Sequence, residues 1–126
     1  MIQPSILKKD KFEAKIIENN MYYIRFFDKT CINLSDIISS FEAYDKLSKG
    51  KKIKVLIEFG IQSTIDDDAR EYAEQNKIQA LAEVLIIKSI AYRILAIIYF
   101  KYRVQTHPIK IQSSLAKGIE WLKSIN

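Results

Sequence analysis

Residues 52–73, KIKVLIEFGIQSTIDDDAREYA, constrain this chain more than any other stretch, because they read as one buried strand delivered directly into one helix. Ile53, Val55, Leu56, Ile57 and Phe59 form a nearly continuous apolar run, the pattern of a strand covered by helices on both faces. Gly60 interrupts the run, and Ser63 or Thr64 offers an N-cap. Asp66, Asp67 and Asp68 then place carboxylates in the first helical turn, where the macrodipole favours them. This strand-to-helix junction is the first candidate for a working site.

The flanking sequence supplies the elements such a strand needs. Residues 1–11 are polar, contain Pro4, and read as an N-terminal arm or short extra element before a domain of residues 12–126. Two β-leaning runs, 12–18 and 21–27, are separated by Asn19-Asn20, a pair that tolerates the left-handed backbone of a tight hairpin. Leu34, Ile37, Ile38, Phe41, Tyr44 and Leu47 recur at helical spacing, with Gly50 placed to end the helix. After a helix over about 65–76, ALAEVLII at 80–87 is a second apolar strand. Residues 89–104 predict a helix, although their tyrosines and isoleucines suit a strand equally. His107-Pro108 breaks that run, residues 109–112 form a last strand, and Ser113 or Ser114 caps a final helix in which Leu115, Ile119 and Leu122 share a face. The order β-β-α-β-α-β-α-β-α is that of a single-domain α/β layer fold, a mixed sheet with an N-terminal antiparallel hairpin and right-handed helical crossovers.

Composition narrows the function classes. At 126 residues and 48% hydrophobic content, one domain can bury a core without staples. The net charge of +5 is scattered over Lys8, Lys9, Lys11, Lys49, Lys51, Lys52, Lys54, Lys101, Arg103 and Lys110, a solvated surface rather than the clustered stripe of a nucleic-acid binder. Cys31, the sole cysteine, excludes an intramolecular disulfide and reads as a small buried hydrophobe. The amino terminus lacks the h-region of a secretory signal, and the apolar run 94–100 is far shorter than the ~20 residues a bilayer span requires, so a cytoplasmic protein is expected.

Taken with the element order, the strand leading through Gly60 to STIDDDAREYA, the run AEVLIIKSIAYRI and the ending HPIKIQSSLAKGIEWLK resemble the small bacterial STAS-like family over residues 12–122. That family is similar in fold to anti-anti-sigma factors and to lipid-binding α/β domains of the CRAL-TRIO kind. The resemblance implies a phosphoacceptor near Ser63 or Thr64, because anti-anti-sigma factors carry a phosphorylated serine at the mouth of the helix after the central strand. Here Gln62 stands where their aspartate does, and no glycine follows the hydroxyl.

Each candidate residue also has a plain structural role. Ser63 and Thr64 serve equally as helix caps, with Thr64 to Asp67 at capping-box spacing. Asp66 to Asp68 diverge by about 100° per residue, too far to converge on a cation. Arg70 can pair with Asp66 at i,i+4, or join Arg93 at one end of the sheet to receive an anion. His107 has no serine or cysteine nucleophile beside it and reads as a structural loop histidine. Gly50, Gly60 and Gly118 make no phosphate loop or dinucleotide fingerprint, so no cofactor and no metal is expected.

The segment 92–102 departs furthest from an ordinary soluble helix: a helix lying on a sheet buries one stripe, and its apolar residues occupy more than one. Tyr92, Leu95, Ile98, Tyr99 and Tyr102 are therefore the expected interaction surface. The leading expectation is a non-enzymatic STAS-like domain acting through protein contact or as a homodimer. The alternative is a carrier or sensor of a lipid or other apolar small molecule.

Overall fold

The computed structural model describes residues 6–101 and 104–125. Six strands form one sheet in the order β1-β2-β3-β5-β7-β8, where β1 is Ile6–Lys8, β2 Phe12–Ile17, β3 Met21–Phe26, β5 Lys54–Phe59, β7 Ala82–Ile87 and β8 Ile109–Gln112. The first three pair antiparallel, and β3, β5, β7 and β8 run parallel. The hairpin forms as its sequence predicts, with Asn19 and Asn20 at φ 56° and 57° in the turn. The N-terminal arm supplies β1: Leu7 opposes Ala14, and half-buried Leu7 packs onto the core.

Among the described residues four α-helices close the sheet: α1 (Leu34–Ser48), α2 (Asp67–Gln75), α3 (Ile90–Lys101) and α4 (Leu115–Lys123). Asn33 caps α1 through a capping box with Asp36, whose Oδ2 accepts the Asn33 N–H at 2.8 Å. The same carboxylate holds Lys11 Nζ at 2.9 Å. Two left-handed residues, Lys49 and Gly50, end the helix.

Alternation along the strands divides the core in two. Tyr22, Ile24, Phe26 and Val55 face α1 and α2 with Ile37, Ala43, Tyr44 and Ala69. Met21, Tyr23, Leu56, Val84 and Ile86 face α4 around Leu122. Lys54 Nζ ties down the end of α4 through the carbonyls of Leu122 and Ile125, each at 2.6 Å. Gly118 allows α4 to lie against the sheet, because a Cβ there would sit 2.8 Å from Leu56 Cδ2 and 3.0 Å from Val84 Cγ1. Gly118→Ala is therefore expected to lower Tm by roughly 5 °C in a thermal melt.

Two sequence expectations need correction. Residues 64–65 do not begin the helix; Thr64–Ile65 is a short strand, β6, pairing parallel with β4 (Cys31–Ile32). The N-cap position of α2 falls on Asp66 instead. Cys31 is exposed rather than buried, because β4 turns Ile32 into the core and Cys31 outward, where its Sγ donates to Asp66 Oδ1 at 3.2 Å.

Buried phenols make the fold sensitive to base. Burial raises the Tyr22 phenol, with Tyr44 adding to it; burial raises Tyr23 first, and its 2.8 Å hydrogen bond to Glu58 Oε1 second. Both folded values lie above the ordinary 10, so their stabilising contribution is complete below pH 10 and is lost as pH climbs toward them. Denaturant titrations at rising pH should show stability falling from about pH 10, less steeply in Tyr23→Phe.

Candidate functional site

A cavity of about 720 Å³ opens between the sheet and the helices α1, α2 and α3. Its floor is the apolar face of the parallel strands, where Ile24, Ile57 and Leu85 stand side by side in register. Phe41, Ala73 and Ile78 supply one wall, and Leu95, Ala96, Tyr99 and Phe100 of α3 form the roof.

The roof is loosely held. None of the twelve residues of α3 is buried, and its exposed side chains include Ile90, Tyr92, Ile94, Leu95, Ile97 and Ile98, each more than half exposed. The segment is helical, which decides between the two readings of its sequence. Arg93 anchors the first turn by donating through Nη1 to the carbonyls of Ile87 and Lys88, at 2.8 and 2.9 Å. Beyond the helix, Lys77 Nζ reaches Val104 O at 2.6 Å. Of the expected interaction surface, Tyr92, Leu95 and Ile98 are exposed, Tyr99 turns into the cavity, and Tyr102 lies outside the described residues.

A polar pair stands on this otherwise apolar wall. Glu83, on the cavity face of β7, holds Oε1 2.8 Å from His107 Nε2, and both side chains are largely enclosed at 11% and 7% exposure. His107 Nδ1 lies 3.0 Å from Thr106 Oγ1. Strand pairing joins residues so far apart in sequence: Glu83 pairs with Ile109, and its N–H bonds to Pro108 O at 2.9 Å, which brings the residue before Pro108 alongside. Glu83 escaped the sequence reading because ALAEVLII counts as an apolar strand; one carboxylate inside a central strand was the available signal.

The other candidate residues are not assembled into one site. Ser63 Oγ donates to Gly60 O at 2.7 Å, and Thr64 is exposed on β6, its N–H bonded to Thr30 O. Arg70 pairs with Asp67 at 3.2 Å and Glu74 at 4.0 Å, not with Asp66, whose carboxylate is engaged by Cys31. Arg70 lines the cavity, whereas Arg93 is committed to the end of β7. Asp66, Asp67 and Asp68 serve separate partners, Cys31 Sγ, Arg70 Nη2 and the Ala69 N–H. Among the described residues no group of three His, Cys, Asp or Glu side chains could hold a metal, and no helix is long and apolar enough to cross a membrane.

The mixed sheet with helices on both faces makes this a STAS-like α/β domain, the architecture called SpoIIAA-like. The model of the family described as Domain of unknown function (DUF7793) matches residues 15–126, and the chain belongs to that family. It is similar along 97% of its length to the crystal structure of an uncharacterized DUF3478-family protein with a SpoIIAA-like fold from Shewanella loihica PV-4, at TM-score 0.63 and 11% identity over 98% of that chain. The likeness establishes the fold. No curated protein matches the chain in sequence.

Proposed function

We propose that this chain is a non-enzymatic cytoplasmic carrier or sensor of an apolar small molecule held between the sheet and α3. The observation that carries the reading is the cavity itself: about 720 Å³, floored by aliphatic side chains and roofed by a helix with no buried residue. Its volume falls in the range of ordinary small-molecule sites, roughly 300–1,000 Å³. An occupant would give α3 the apolar contacts it lacks within the chain. The resemblance to lipid-binding domains of the CRAL-TRIO kind points the same way. Native mass spectrometry of freshly purified protein is expected to show an apolar adduct that Ala96→Trp, which fills the roof, removes. A consistently bare mass overturns the reading.

Protein contact is the second reading, and a different observation favours it. Ile90, Tyr92, Ile94, Ile97 and Ile98 form an exposed apolar surface on α3, of the kind that marks interaction sites. If two copies meet there, sedimentation equilibrium will give a dimer that Ile94→Glu with Ile97→Glu converts to monomer. A monomer at high micromolar concentration rules the dimer out.

A further inference from the structure

We propose that Glu83, held in place by His107, is the head-group site of the cavity, and that the occupant is an apolar chain ending in a neutral hydrogen-bond donor, an alcohol rather than a carboxylic acid. This rests on the carrier reading above and names its ligand class.

The argument begins with what each atom of the pair is doing. His107 has both ring nitrogens engaged, Nε2 by Glu83 Oε1 and Nδ1 by Thr106 Oγ1. Glu83 Oε1 is therefore committed, and among the described residues its second oxygen, Oε2, has no partner. Glu83 lines the cavity, so that oxygen is an acceptor standing on an apolar wall. That oxygen is not sealed off from solvent, so an apolar occupant entering the cavity strips it of water, and one that brings a donor replaces the hydrogen bond it displaces. A carboxylate head brings a second acceptor and a like charge instead.

Two cations and a second carboxylate, Glu74, also line the cavity. Arg70 is paired with Asp67 and Glu74, and Lys77 is bonded to the Val104 carbonyl. Glu83 also lies near a second buried polar group, Tyr44, whose phenol is raised by burial first and by the Glu83 charge further down. Tyr44 Oη already donates to Gln79 O at 2.6 Å and accepts the Ile53 N–H at 3.1 Å, so it leaves Glu83 free for the ligand.

The test uses the full chain with Nile red as reporter and three competitors of equal chain length, 1-dodecanol, dodecyl methyl ether and dodecanoate, at neutral pH. The alcohol donates a hydrogen bond, the ether only accepts, and dodecanoate adds negative charge. Wild type is expected to bind dodecanol about tenfold more tightly than the ether, the value of one hydrogen bond to a charged group, and dodecanoate most weakly. Glu83→Gln keeps the shape and a link to His107 but removes the charge, and should raise dodecanoate affinity at least tenfold. Equal binding of alcohol and ether to wild type, or a preference for dodecanoate drawn to Arg70 or Lys77, overturns the assignment while leaving the carrier reading standing. If neither the dye nor any competitor binds, the carrier reading itself fails and the assignment with it. The wild-type ranking decides the matter should Glu83→Gln not fold.

Discussion

Gly60→Ala is expected to destabilise the domain by about 3 kcal/mol, a drop of roughly 10 °C in Tm. Gly60 follows the central strand where the chain passes against the end of β3, and a Cβ there would lie 2.5 Å from Asp28 N, Phe27 C and Phe27 O. All three are backbone atoms, so no side chain can rotate away to make room. Moving the Phe27 to Asp28 peptide would also disturb what the junction is built on: the Ile61 N–H bonded to Asp28 Oδ1, the Lys29 N–H bonded to Ile61 O, and beyond them the β4 and β6 pairing. Gly50→Ala is the control. Gly50 has φ 73°, but its Cβ would meet nothing closer than Asp45 Oδ1 at 4.0 Å, so only the left-handed penalty of about 1 kcal/mol applies. Chemical denaturation of both variants separates the two effects; equal losses would mean that the close approach at Gly60 is not the constraint.

Most of the architecture could be read from local pattern because periodicity and turn chemistry are local. The hairpin needed Asn19-Asn20, the first helix needed the spacing of Leu34, Ile37, Phe41, Tyr44 and Leu47 with Gly50 after it, and the parallel strands needed apolar runs bounded by Gly60 and Lys88. What local rules missed came from pairings between distant segments. Thr64 stood as an N-cap candidate, yet the Thr30 and Ile32 carbonyls, each thirty-four residues earlier than its partner, take the N–H groups of Thr64 and Asp66 and draw the segment into a strand. The same pairing turns Cys31 outward. The apolar excess of α3 was visible, but that one of its faces roofs a cavity depends on how far the helix stands from β7 and β8, a distance no pattern encodes. His107 was visible as a lone histidine before proline, whereas Glu83, a charge in a central strand, passed unread inside an apolar run. That they are one group follows from the register of β7 against β8.

His107→Leu should then cost about 3 kcal/mol or more, because it leaves the Glu83 carboxylate on an apolar wall without its partner. The double variant Glu83→Leu with His107→Leu should recover most of that loss and reach at least the stability of the parent chain, since replacing a buried polar pair by packed apolar groups is commonly neutral or stabilising. Equilibrium denaturation of the two singles and the double closes the cycle, and a coupling below about 0.5 kcal/mol would mean that the pair is solvated and ordinary. A large coupling with a stable double variant has a further consequence. The domain could be built more simply with aliphatic residues at both positions, as it is at Ile57, Leu85 and Ile109 around them. On the proposal that Glu83 receives the head group of a ligand, the stabilised double variant should be the one that no longer distinguishes an alcohol from an ether.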